Sequence, residues 1–143
     1  MTITVIGTPQ PQGSARAFVN KKTGRPIITS DNANLRPWRQ DVRESVRAIW
    51  GARPPHAGAI WLAMTFRFQR PMGHFGKTGL RRSAPLEMVV RPDIDKLVRA
   101  VQDALKEAGV YRNDSQVVQL VDCRKRYCQP EEPPGLEQEI RPA

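Results

Sequence analysis

The chain has 143 residues, enough for one domain with a core of its own and too few for two of ordinary size. Its 39% apolar and 26% charged residues fit a soluble globular protein and exclude a disordered one, and no apolar run approaches the roughly 20 residues that span a bilayer. The formal net charge of +9 is uneven: residues 129–143 hold four glutamates against Arg141, a net of −3, so the first 128 residues carry +12. Such an excess favours anionic partners and a salt-sensitive hold on a phosphate backbone, with an ordinary solvated basic surface as the plainer alternative.

Thr2 to Gly7 alternates around Ile3 and Val5 and reads as a first strand. It lacks a secretory signal pattern. Thr8 to Arg16, rich in Pro, Gly and Gln, reads as a basic connection rather than regular structure. Ala17-Phe18-Val19 and Pro26-Ile27-Ile28-Thr29 are expected to form a short hairpin around the basic tip from Asn20 to Arg25. A first helix is predicted from Leu35 to Trp50, where Leu35, Trp38, Val42, Val46 and Ile49 recur at helical spacing and Pro37 fits only the opening turn. Arg39, Arg43 and Arg47 share another face, expected to be a solvated one.

Ala57 to Phe68 is the clearest strand, with Ile60, Leu62, Met64, Phe66 and Phe68 on one side. Gln69 to Arg91 is long for a connection and reads as a mobile basic loop beside a site, in which His74 is a surface or phosphate contact rather than a metal ligand. A second helix is predicted from Asp93 to Ala108, stopped by Gly109. Val117 to Tyr127 reads as a last strand, with Val117, Val121 and Cys123 on one side. Cys123 and Cys128 lack the number and partners of a zinc site and are expected to be reduced thiols in a cytoplasmic protein. The domain is thus expected to span 1–128, followed by a flexible Pro/Glu-rich tail, 129–143.

The acids that stand out are Asp93, Asp95 and Asp114. At a helix start, Asp93 and Asp95 can simply cap amides and meet the positive end of the dipole. No Gly or Glu follows at EF-hand spacing. Three carboxylates without His or Cys also match the hard oxygen ligands that Mg2+ takes, and do not match zinc. Spacing alone does not bring Asp114 to the helix start. Asp95, Arg99 and Asp103 step along one face and read either as an exposed ion-pair ladder or as Arg99 aimed at a phosphate with Asp103 orienting it. For holding DNA, the candidates are Arg16, Lys21, Lys22 and Arg25 near the N-terminal loop, and Arg70, Lys77, Arg81 and Arg82 in the long loop.

The blocks Asp93-Ile94-Asp95-Lys96-Leu97-Val98-Arg99, Asp103-Ala104-Leu105 and Asn113-Asp114-Ser115-Gln116-Val117 resemble, in order, those of the RusA family of Holliday-junction resolvases, often carried by phages and prophages. The resemblance implies an α+β subunit with a mixed sheet and packed helices, working as a homodimer on branched DNA. It implies Mg2+, with Mn2+ as a substitute, held by Asp93, Asp95 and Asp114, and paired nicks in four-way junctions during recombination or repair. It implies neither a membrane nor a nucleotide cofactor. The chain departs from the family pattern in three places. Lys96 stands for an Asn, Arg99 for a Lys, and Asn113 for the first acid of a pair. If the family's Lys donates a proton, Lys96 inherits that role, since a guanidinium gives up no proton; if it acts by charge, Arg99 serves. Asn113 then leaves the metal's surroundings one charge poorer. The competing expectations are a non-catalytic DNA-binding protein with a degenerate site, and a flap- or fork-preferring nuclease.

Overall fold

The computed structural model describes residues 1–13, 15–30 and 32–143, without the side chains of 15–18 and 28–30. Its elements are β1 (Thr2–Ile6), β2 (Ala15–Val19), β3 (Pro26–Ser30), α1 (Leu35–Trp50), β4 (Ile60–Phe68), β5 (Phe75–Gly76), β6 (Gly79–Leu80), α2 (Ile94–Glu107), β7 (Val117–Tyr127) and β8 (Gly135–Pro142). Short 3-10 turns cover Met72–His74 and Asp114–Gln116. The result is a single α+β unit. A four-stranded mixed sheet runs β1-β8-β4-β7, with β4 and β7 parallel and the other pairs antiparallel.

The core follows from two periodicities. Alternate residues of β4, from Ile60 through Leu62, Met64 and Phe66 to Phe68, are buried on one face. Against that face lie Trp38, Val42 and Val46 of α1 and Leu97, Val101 and Leu105 of α2. Each such side chain contributes roughly 1.5–3 kcal/mol by leaving water. Ile49 is the exception in the α1 stripe: at 45% exposure it lies past the end of the covered surface. Pro37 sits in the first turn of α1, and Gly109, at φ +83°, ends α2 in a left-handed conformation that a side chain would strain. The β2–β3 hairpin pairs Val19 with Pro26 and carries Lys21, Lys22 and Arg25 at its exposed tip.

Residues 129–143 are not a flexible tail. Gly135–Pro142 is β8, an interior strand between β1 and β4, with Leu136, Gln138 and Ile140 buried. Three of the four glutamates that suggested a solvated segment, Glu132, Glu137 and Glu139, are paired with arginines of the sheet. Arg126 makes a bidentate bond to Glu132 (2.6 and 2.9 Å), which holds that carboxyl at about 2, well below its usual range. The buried Arg67 donates to Pro133 O (3.2 Å) and lies near Glu137. Arg141 pairs with Glu139. Gly135 is required where it stands, because a Cβ there would meet Val5 O at 2.3 Å.

Two further expectations change. The Arg39/Arg43/Arg47 face of α1 is not merely solvated: Arg39 and Arg43 pair with the Glu107 carboxylate, and Arg47 donates to Glu107 O (3.0 Å), so the stripe clamps the C-terminal end of α2. β7 is also less regular than its sequence. Bulges fall opposite Ile60/Trp61 and Ala63/Thr65, with Asp122 at φ +50°. The extra residues shift the alternation, so Val121 lies opposite Ala63 while Cys123 packs against the core. Both cysteines are free, and burial pushes each thiol up.

Candidate functional site

The segment from Gln69 to Arg91 joins the end of β4 to the start of α2 and is pegged to the sheet at several points. Arg70 lies over the Tyr127 ring (4.5 Å) and donates to Pro85 O (2.7 Å). His74 meets the same ring edge-on, a packing role rather than a free surface contact. Met88 is buried. At the end of the segment, the Lys125 ammonium reaches across from β7 to donate to Val90 O (2.6 Å) and Pro92 O (2.8 Å). This lysine, absent from the sequence expectations, therefore fixes the backbone that delivers Asp93; only the pairing of β7 beside β4 could reveal it.

Asp93 occupies the N-cap of α2, yet its side chain makes no capping hydrogen bond. Asp95 lies in the first turn and is exposed. Neither carboxylate has an ion-pair partner among the described residues, so capping does not account for the pair. Asp93 opens onto a cleft of about 440 Å3 lined by Pro11, Gln12, Asn32, Arg91 and Lys96. The cleft's far wall is tied to α2, since Gln12 N donates to Lys96 O (3.0 Å). Asp93, a free carboxylate beside Arg91 and Lys96, makes a place where a phosphate and a hard cation can meet, with Asp95 exposed two residues on in the first turn of α2.

Asp114 stands elsewhere. Its carboxylate pairs with Lys106 (3.1 Å) in the last turn of α2. Among the described residues no three Asp, Glu, His or Cys side chains gather closely enough to hold one cation. Asp93 and Asp95 carry the hard oxygen donors that Mg2+ takes, whereas Asp114 is not gathered with them. Asp95, Arg99 and Lys106 nevertheless fall on one helical face, at steps of four and seven residues. No ion pair links Arg99 to Asp95 or Asp103 among the described residues, so the ladder is not formed. Asp103 instead lies near Tyr111. Burial chiefly, then the Asp114 and Asp103 charges, push the Tyr111 hydroxyl far up, and it donates to Gln102 O (3.0 Å).

The turn that carries Asp114 is built by Gln116. Its Oε1 accepts from Arg112 N and Asn113 N (3.0 Å each), and its Nε2 donates to His56 O (2.8 Å) and Gly58 O (3.0 Å). Asn113 completes a capping box with it, so the residue expected beside a metal is a backbone cap. The Asn-x-x-Gln spacing was the available signal. Gln116→Ala is expected to lower stability by about 1–2 kcal/mol, because it removes four hydrogen bonds, of which only the one to His56 O is part-buried. Thermal unfolding should show a drop of about 5 °C, with Gln116→Glu, which keeps the acceptor, falling between.

Of the other predicted DNA contacts, Lys21, Lys22, Arg25, Lys77, Arg81 and Arg82 are exposed. Arg81 Nε braces the β5–β6 hairpin through Phe75 O (3.0 Å). Arg70 is committed to Tyr127, and the Arg16 side chain lies outside the described residues.

A basic α+β chain with a free aspartate at the mouth of a cleft lined by Arg91 and Lys96 is equipped to set a phosphate next to an acid group. Comparison with protein-family models matches Endodeoxyribonuclease RusA over residues 8–141, and the chain belongs to this family of endodeoxyribonucleases. That span includes β8. No curated protein matches the chain. No helix among the described residues is long and apolar enough to cross a membrane.

Proposed function

We propose that the chain is a Mg2+-dependent, structure-selective endonuclease that resolves four-way DNA junctions by paired nicks, acting as a homodimer. The observation that carries this reading is the uncommitted Asp93 on a cleft lined by Arg91 and Lys96, with the equally unpaired Asp95 in the next turn, in a chain of the RusA family. Asp93 and Asp95 would hold the cation, and Asp114 would join them only on leaving Lys106; a cation held there would supply a water of lowered pKa and a counter-charge for the phosphate. Arg99 stabilises charge on the phosphate oxygens, and Lys96 is placed beside Asp93 to give a proton to the leaving oxygen. Lys125 positions the backbone before Asp93. A homodimer suits a junction because two symmetry-related sites each cut one of two equivalent strands. Val118 and Leu120, 59% and 49% exposed on the edge strand β7, are apolar surface that a second copy would cover.

The test is incubation of the purified protein with an end-labelled four-way junction and a matched duplex, with and without Mg2+. Symmetric nicks in the junction alone, and only with metal, are expected. Binding without cleavage would favour the second reading, a non-cutting junction-binding protein. One observation supports that reading: Asp114 is taken by Lys106. The role of Asp114 is tested by Lys106→Met, which releases the carboxylate. The Mg2+ concentration for half-maximal cleavage should fall several-fold, and the gain should vanish in an Asp114→Asn background. An equal gain in that background would remove Asp114 from the cation site.

A further inference from the structure

The cleft beside Asp93 does not end at Gln12. A second cavity of about 400 Å3 begins there, shares Gln12 and Asn32 with the first, and continues along α1 past Arg36, Gln40 and Arg43 to Glu107 of α2. On α2 the two cavities reach Lys96 at one end and Glu107 at the other, 11 residues apart, about 16 Å at ~1.5 Å per residue. Its cations outnumber its acids. Arg36, Arg91 and Lys96 have no acidic partner among the described residues, and Arg39 and Arg43 share the single carboxylate of Glu107. Arg36 also stands in the first turn of α1, a turn that itself holds no acid. At the meeting point of the two cavities, Gln12 Oε1 is buried without a hydrogen-bond partner. Phosphate oxygens cannot satisfy that acceptor; the amino group of an unpaired base can.

We propose that this groove between the two helices is the track for a single DNA strand leading away from the scissile phosphate, with Arg36 as its outer phosphate contact and Gln12 as a contact to an unpaired base. At about 3.4 Å per stacked nucleotide it takes up to about five nucleotides. The inference deepens the nuclease reading and rests on it for the location of the scissile phosphate. It adds a binding surface separate from the two exposed basic loops, and it gives a role to Arg36, the arginine of this α1 surface that does not bind Glu107.

The test is fluorescence anisotropy in Mg2+-free buffer, with a labelled 12-nucleotide single strand and a labelled four-way junction, over a salt series. Arg36→Ala is compared with Arg53→Ala, which removes an equal charge at the other end of α1, where Arg53 lies over Trp50. Arg36→Ala is expected to weaken single-strand binding about tenfold and to reduce the salt slope by about one. Arg53→Ala should stay within about twofold of the unmodified chain. Equal shifts in the two variants, or none in Arg36→Ala, overturn the track. Because these measurements need no catalysis, the two readings fail separately. Junction cleavage by the unmodified chain with Arg36→Ala binding unchanged sinks only the groove. Absent cleavage with Arg36→Ala selectively impaired supports the groove and sinks the nuclease.

Discussion

Asp93→Asn is expected to reduce junction cleavage by at least about 10^3-fold, on the order of 4 kcal/mol of transition-state stabilisation, while binding is kept or tightened. The two roles open to an aspartate at a helix start give opposite outcomes here. An N-cap is served as well by Asn as by Asp, so a capping role predicts no loss of either stability or cleavage. A cation-holding role predicts loss of cleavage alone, since Asn keeps the shape and removes the charge. The Asp93 side chain makes no capping bond, so the substitution disturbs no internal contact of the fold. Removing one negative charge from a surface that meets phosphate also lowers repulsion, which is why binding should hold or improve. Junction nicking under single-turnover conditions and junction anisotropy, measured on the same preparation, decide it. Undiminished cleavage would remove Asp93 from the chemistry.

The largest effect on stability is expected from deletion of residues 129–143. β8 pairs with β1 on one side and β4 on the other, so its loss strips both neighbours of their hydrogen-bonded partner at once. It also uncovers the core where Leu136 and Ile140 are buried, and leaves Arg67 and Arg126 without Pro133 and Glu132. β1 has no other partner in the sheet. The combined loss exceeds the 5–15 kcal/mol by which a domain of this size is ordinarily stable. The truncated chain should show no cooperative thermal transition by circular dichroism. A fragment 1–128 melting like the full chain would contradict the strand order.

What the sequence could show, it showed through periodicity and local chemistry. The 3.6-residue stripes of Leu35 to Trp50 and Ile94 to Leu105, the strict alternation of β4 and the stop at Gly109 depend on residues within a few positions of one another. The ordered Asp93/Asp95, Asp103-Ala104-Leu105 and Asn113-to-Val117 blocks were legible for the same reason, and they named the family that the comparison then matched. β8 was not legible. Its glutamates and prolines look solvated until Arg67 and Arg126, distant in sequence, are set beside them. The clamp of three arginines on Glu107 needed the packing of α1 on α2, and the support of Asp93 by Lys125 needed β7 in register with β4. Sequence thus determined the elements and the chemical class of the site, because propensity and motif act locally. Only the tertiary structure decided that the acidic segment is an interior strand, that Asp93 and Asp95 are free while Asp114 is paired, and that a groove leads from them along α1. Each of these depends on which distant charges meet once the sheet has closed.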